Sequence, residues 1–183
     1  MKEKSFSKEK IKSYVLVSLF TAIIAIASFI TIPSPVPFTL QAFAIFCSLT
    51  VLGGKRGLAC VILYIFLGII GLPVFANLSG GLGHLLGATG GYVLGFILTA
   101  LIYYIITKFL GNSTKIRAVG LSLGHLACYA VGTLWYAAVY LGDVSFKSIL
   151  STLTICVAPF IIPDIVKIVA AIFIGNKLSA IIN

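Results

Sequence analysis

The sequence predicts an all-α integral membrane protein, a single domain (residues 1–183) of six transmembrane helices with both termini in the cytoplasm. The first observation is composition: 60% of the 183 residues are hydrophobic and 9% are charged, whereas soluble domains carry roughly 25% charged residues. The second is length, because the chain accommodates about six crossings of roughly 20 residues and their connections. The third is the distribution of Lys and Arg along these crossings.

The first span is predicted at about 14–30, after a basic tail (1–13) with five lysines and two glutamates. A charged segment before an apolar one also begins secretory signal peptides, but the later apolar segments favour a retained cytoplasmic anchor. Small residues repeat along this span at Ser18, Ala22 and Ala25. Such spacing lets another helix approach closely, although it also arises by chance on apolar helices.

The next two spans are separated by a short basic turn. Three prolines make residues 31–38 a loop, because proline lacks a backbone donor and restricts the residue before it. A short second span follows at about 39–52, and a third at about 58–71, with the turn 53–57 between them. The connection 74–91 is rich in glycine. Irregular backbone in membrane proteins is tolerated where it lines a cavity, so this connection is a candidate functional loop.

The last three spans are predicted at about 92–110, about 119–141 and up to about 182. Residues 149–158 form either a short separate half-helix or the beginning of the last span. Pro163 is predicted at a first helical position, which proline favours, and Asp164 in the first turn, where the helix dipole favours an anion. The last helix is therefore predicted to restart at Pro163.

The basic residues indicate the orientation. All of the 13 Lys and Arg residues except Lys147 and Lys167 fall on one side of the predicted spans, which the positive-inside rule assigns to the cytoplasm. The net charge of +9 therefore reflects topology, and no motif for nucleic acid is present. The four cysteines lack metal-ligand spacing and are predicted to be small buried hydrophobic residues, so no metal site is expected.

Asp164 and Lys167 stand three residues apart inside a long apolar run. A charge left unpaired at the centre of a bilayer costs about 2.5–3.5 kcal/mol, and a pair on one helical face offsets part of that cost. One interpretation is a structural ion pair between helices. The other is a site for a small polar solute, in which Lys167 binds a ligand carboxylate and Asp164 accepts hydrogen bonds from ligand N–H groups.

The remaining candidates gather on the outer side of the predicted bundle. The amide of Asn77 can donate and accept, but a turn role is equally in keeping with its loop. Aromatic residues can form a wall for an apolar ring, although interfacial anchoring also explains Trp135. His84 and His125 are interpreted as structural. The candidate substrate-binding residues are Thr39, Gln41, Asn77, Tyr92, Tyr129, Trp135, Asp164 and Lys167.

Four motifs occur in register along the chain: Pro35-Val-Pro-Phe-Thr-Leu-Gln41, Thr89-Gly-Gly-Tyr-Val-Leu-Gly-Phe96, Cys128-Tyr-Ala-Val-Gly-Thr-Leu-Trp135 and Pro159-Phe-Ile-Ile-Pro-Asp-Ile-Val-Lys167. Together they resemble the BioY family, the biotin-specific substrate-binding S components of energy-coupling factor (ECF) transporters. The chain departs from the usual family pattern at Ala88, where proline is common, and at Pro163, where glycine is common.

The resemblance implies a six-helix bundle that captures biotin from outside. It also implies a transmembrane T component and two cytoplasmic ATPases as partners; ATP is used there, and no cofactor is bound by this chain. By the same resemblance Asp164, Lys167 and Asn77 are the polar ligand contacts, and the small face of the first span docks the T component. The alternatives are an S component for another vitamin and, as a different class, an intramembrane acid–base enzyme.

Overall fold

The chain folds almost entirely into helices, in a computed structural model that describes residues 2–32 and 36–182, with side chains described for 8–32 and 36–181. A 3-10 turn (Ala76–Leu78) interrupts the long glycine-rich connection, and a π-helical turn (Ala137–Leu141) extends the sixth helix. The helices are α1 (Lys2–Phe29), α2 (Gln41–Leu52), α3 (Gly54–Ile69), α4 (Leu82–Leu85), α5 (Gly90–Leu110), α6 (Thr114–Tyr136), α7 (Phe146–Cys156) and α8 (Ala158–Ile182).

Four helical segments of the described chain are long and apolar enough to cross a membrane: Lys8–Phe29, Gly90–Leu110, Thr114–Leu141 and Ala158–Ile181. Their outer faces carry exposed hydrophobic side chains, such as Phe109 (76% exposed) and Ile162 (75% exposed). A water-soluble protein rarely exposes so much contiguous apolar surface. The prediction of a helical, multi-pass membrane protein is therefore confirmed.

The second predicted span is a short central helix. α2 has 12 residues, which correspond to about 18 Å of helix, less than the roughly 30 Å of a bilayer core. Every residue of α2 except Phe43 is buried, which explains why the helix is apolar on all sides. Its Thr50 hydroxyl donates to the carbonyl of Ala171 over 2.8 Å, so α2 packs directly on α8.

The prolines of the first loop do not prevent pairing of the residues beside them. Thr31–Ile32 (β1) and Phe38–Thr39 (β2) form a two-residue antiparallel hairpin, with Thr31 opposite Thr39. The prolines predicted to break the helix at positions 33 and 35 lie outside the described residues. The hairpin forms because its four residues retain the backbone donors and acceptors that a ladder needs.

Several predicted helix boundaries are corrected. α1 begins at Lys2 rather than near residue 14, because Lys and Glu in the basic tail are good helix formers. α6 begins at Thr114 rather than at 119, since the Ser113 hydroxyl accepts from the N–H of Ile116 and caps the helix. Arg117 is therefore helical and buried, and its guanidinium donates to the Thr50 carbonyl over 3.3 Å.

The predicted restart of a helix at Pro163 is wrong. α8 begins at Ala158 and contains Pro163 in its interior. The preceding segment is a separate short helix, α7, as one of the two sequence interpretations had it, and Val157 alone separates it from α8. Because α8 begins at Ala158, Pro163 lies inside the helix, where it lacks the backbone N–H that another residue would donate. Asp164 therefore lies in the second turn of α8 rather than in the first.

The four cysteines confirm their predicted role. Cys47, Cys60, Cys128 and Cys156 are all buried and free. No group of three or more His, Cys, Asp or Glu side chains that could hold a metal ion occurs within residues 8–32 and 36–181.

Candidate functional site

Asp164 and Lys167 form a buried ion pair on α8. The Lys167 ammonium donates to Oδ1 of Asp164 over 2.8 Å. Lys167 is 8% exposed and Asp164 is 5% exposed. Their spacing of three residues places both side chains on the face of α8 that turns into the bundle.

Other helices satisfy both members of the pair. Oδ2 of Asp164 accepts the Tyr129 hydroxyl over 2.5 Å and lies 2.8 Å from Nε2 of His125. Lys167 also donates to the carbonyl oxygen of Thr39 over 3.0 Å, and its Nζ lies 4.1 Å from the ring centroid of Phe38. Asp164 thus joins α8 to α6, and Lys167 joins α8 to the hairpin.

His125, interpreted from the sequence as structural, belongs to this network. His125 and Tyr129 are one turn apart on α6, and their rings lie 4.4 Å apart between centroids. Phe46 of α2 contacts the imidazole edge-on at 5.1 Å. The i, i+4 spacing of His125 and Tyr129 was the sequence signal for a shared face, but it did not indicate that this face meets Asp164.

A cavity of about 60 Å³ borders the network, and a second of about 60 Å³ adjoins it. Each volume is enough for roughly two water molecules. The two cavities share Val36, Pro37, Thr39, Tyr92 and Phe96 as walls. The first contains Tyr129, Asp164 and Lys167 in its lining, and the second contains Gln41 and His84. We refer to the two cavities together as the central pocket and to each of them as a lobe.

Two buried polar atoms beside the central pocket have no partner among the described residues. They are Nε2 of Gln41 and Nδ1 of His125. Because a buried polar group without a hydrogen bond costs free energy, both atoms are suited to a bound ligand or water. The pocket therefore offers an amide donor in one lobe and an imidazole nitrogen beside the other.

Two predicted site residues do not line the central pocket. Asn77 is exposed and has a left-handed backbone conformation, with φ of 58°, which asparagine tolerates better than most residues. Trp135 is half-buried, and its indole N–H donates to the carbonyl of Gly87 over 2.9 Å. The structure thus places Asn77 in an exposed turn and uses Trp135 to brace the glycine-rich connection. Neither position was fixed by local sequence.

The small residues of α1 divide between two faces. Ser18 and Ala22 are exposed and Ala25 is half-buried, whereas the hydroxyl of Thr21 donates to the carbonyl of Val17 over 2.8 Å and to that of Cys60 over 3.3 Å. An outward face of small side chains is thus available on α1 beside its contact with α3.

These features define a class: an α-helical membrane protein with a charged pocket between its helices, suited to a small polar solute. A family model described as the BioY family matches residues 1–183. Among curated relatives, the "probable biotin transporter BioY" of Pyrococcus horikoshii is 37% identical over 171 residues, covering 93% of this chain and 98% of the relative. The "biotin transporter BioY" of Thermotoga maritima is 35% identical over 169 residues, covering 92% and 96%.

A solved structure is similar over almost the whole chain. It is the crystal structure at 2.1 Å of the S-component for biotin from an ECF-type ABC transporter, with a TM-score of 0.78 and 27% identity over 95% of this chain and 92% of that chain. The chain belongs to the BioY family. That family assignment places the chain among transporters rather than enzymes.

Proposed function

We propose that this chain is the biotin-binding membrane subunit, or S component, of an ECF-type ABC vitamin importer, and that it captures biotin from outside with high affinity. The observation that carries the proposal is the buried Asp164–Lys167 pair at the central pocket, in a chain whose curated relatives are named biotin transporters. A related solved structure is described as the S-component for biotin.

The chemistry of the pocket suits this ligand. Biotin has a carboxylate, a ureido group with N–H donors and a carbonyl acceptor, and an apolar bicycle and tail. The Lys167 ammonium supplies donors and the Asp164 carboxylate supplies acceptors. Tyr92 and Phe96 are shared walls of both lobes and offer apolar contact. A few polar groups in a largely apolar lining are typical of small-molecule sites.

Binding of the ligand requires the pocket to widen. Lys167 donates to both Asp164 and the Thr39 carbonyl, which leaves the third N–H of its ammonium for a ligand acceptor. Thr39 belongs to the β1–β2 hairpin, and Val36 and Pro37 of its loop line both lobes. Each cavity holds about 60 Å³, well below the roughly 300–1,000 Å³ of typical ligand pockets, so entry of biotin requires a shift of the hairpin relative to α8.

In the proposed arrangement six helices, α1, α2, α3, α5, α6 and α8, form the bundle in the cell membrane, with both termini in the cytoplasm. The distribution of Lys and Arg supports this orientation. The T component docks on the small-residue face of α1 at Ser18, Ala22 and Ala25. Two cytoplasmic ATPases use ATP for uptake, and this chain itself requires no cofactor.

Calorimetric titration of the detergent-purified chain with biotin, thiamine and riboflavin tests the proposal. Tight 1:1 binding of biotin alone is the expected result. Heat from thiamine or riboflavin without heat from biotin would keep the S-component architecture and overturn the substrate. Silence for all three vitamins, in a chain shown to be folded by its unfolding transition, would overturn the proposed biotin-binding function.

A further inference from the structure

A groove of about 430 Å³ lies between α1 and α3, away from the central pocket. Its lining includes Lys10, Tyr14 and Val17 of α1 and Lys55 and Arg56 of α3, and one carboxylate, that of Glu9, also borders it. Among the described residues that line the groove, three cations therefore face one carboxylate. The biotin site does not use any of these residues.

The groove exists because two parallel helices touch along most of their length and separate at one end. The Thr21 hydroxyl of α1 donates to the carbonyl of Cys60 on α3, and the Cys60 thiol donates to the Val17 carbonyl over 3.5 Å. Farther along, Ser28 donates to the Val74 carbonyl just after α3. The two helices are therefore in contact from Val17 onward and separate towards Lys10.

The open end of the groove lies at one end of an apolar segment that is long enough to cross a membrane. Lys10 and Tyr14 occupy the first turns of the apolar segment Lys8–Phe29, and Lys55 and Arg56 follow directly on the first residue of α3. Tyr14 is 68% exposed, and tyrosine is typical of the membrane–water interface. Basic residues at the end of a membrane-spanning segment are suited to lipid phosphate groups, and Val17 lies further into the apolar segment.

We propose that this groove binds the headgroup of one anionic phospholipid between α1 and α3. The phosphodiester lies against Lys10, Lys55 and Arg56, where a guanidinium can pair with two phosphate oxygens, and an acyl chain follows α1 past Val17. Basic pockets between transmembrane helices on the cytoplasmic side are suited to such headgroups. The exposed residues Ser18 and Ala22 remain outside the groove and available for another helix.

Native mass spectrometry of the full detergent-purified chain tests this proposal, with phosphatidylglycerol and phosphatidylcholine of identical acyl chains as probes. One phosphatidylglycerol is expected to bind, roughly tenfold more tightly than phosphatidylcholine. The double variant Lys55→Gln/Arg56→Gln is expected to weaken phosphatidylglycerol binding roughly thirtyfold, and Lys10→Gln alone roughly fivefold.

The matched control is Lys108→Gln/Lys115→Gln, which removes the same charge at the same end of the bundle. That end is shared because α3 begins at Gly54 beside Tyr104, near the end of α5. Biotin affinity and the unfolding midpoint should be unchanged in both double variants. Equal loss of lipid in the control, or no preference for phosphatidylglycerol, overturns the proposal. Normal lipid binding with loss of ATP-driven uptake in the groove variant also overturns it, in favour of a protein partner.

Discussion

Nε2 of His125 on α6 lies 2.8 Å from Oδ2 of Asp164 on α8. Nδ1 of the same ring is buried without a partner among the described residues, so the tautomer that carries its proton on Nε2 satisfies the site better. That proton is donated to Asp164. The contact orients the carboxylate, together with the Tyr129 hydroxyl, and leaves Oδ1 facing Lys167.

Replacing His125 with Ala is expected to weaken biotin binding about tenfold, because Asp164 loses a donor that orients its carboxylate and one such hydrogen bond contributes about 1–1.5 kcal/mol. Titration calorimetry of the purified variant checks this. Ser122→Ala, one turn earlier on α6 and exposed, is the control and should bind as wild type does. Unchanged affinity in His125→Ala would show that the histidine has no part in the site.

Lys167→Ala is expected to reduce biotin affinity at least thirtyfold, because loss of a charged hydrogen-bond partner costs about 2–3 kcal/mol. It should also lower the unfolding midpoint, since Asp164 loses its cation in a buried site. The double variant Asp164→Asn/Lys167→Met separates the two effects, because the Asn amide oxygen can still accept from Tyr129 and His125 without a buried charge: stability should recover while binding stays lost. If Lys167→Ala binds biotin normally and is only less stable, the pair is a structural ion pair. Lys147→Ala on exposed α7 serves as control.

Asn77 can be tested by two substitutions with different backbone consequences. Asn77→Gly removes the amide and suits φ of 58°, whereas Asn77→Ala removes the amide and introduces about 1 kcal/mol of strain. From the exposed position of the side chain, we expect Asn77→Gly to bind biotin as wild type does and Asn77→Ala to be slightly less stable. A large affinity loss in both variants would instead establish the ligand contact that the family resemblance implies.

Ala22→Trp is expected to leave biotin binding intact and to abolish ATP-driven uptake by the assembled transporter, because Ala22 is exposed and a large ring prevents close helix approach. Ala25→Trp is a less clean test, since Ala25 is half-buried. Ile23→Trp, which is 39% exposed and turned by about 100° from Ala22 around α1, is the control and should transport normally. Loss of binding together with uptake in Ala22→Trp would indicate misfolding rather than blocked docking.

His84 is expected to make the glycine-rich connection sensitive to acid. It lies outside the four candidate spans, stacks on Phe75 with ring centroids 5.1 Å apart, and shares a 2.9 Å hydrogen bond with Ser79. Burial lowers the pKa of His84 below its usual 6.5. As the pH falls through 6.5, His84 binds a proton in the unfolded connection before it does so in the folded one. Uncharged His84 therefore stabilises the folded connection fully above pH 6.5, and this stabilisation is lost as the pH falls through the lowered pKa of the folded state.

Because His84 lines one lobe of the central pocket, biotin affinity should fall a few-fold between about pH 7.5 and about pH 5.5. His84→Phe keeps a ring against Phe75 and removes the titrating group, so its affinity should change less over the same range. Titration calorimetry at both pH values makes the comparison. An identical pH response of wild type and His84→Phe would exclude His84 as the origin.

Local sequence was sufficient for the features that depend on composition and short spacing. The apolar runs predicted a helical membrane protein, and the i, i+3 spacing predicted that Asp164 and Lys167 share a face. The four motifs in register indicated the BioY family. Helix ends were harder, as Pro163 shows: the sequence favoured a start there, but the break at Val157 had already allowed α8 to begin.

The composition of the chain by itself determined that it lies in a membrane, and its motifs determined its family, because both are properties of the residues in order. Only the tertiary structure decided that His125 meets Asp164 across 39 residues and that Lys167 meets Thr39 across 128. It also placed Asn77 and Trp135 away from the central pocket. These contacts depend on how each helix is rotated about its axis. In a helix that is apolar nearly all round, no local pattern specifies which face turns inward.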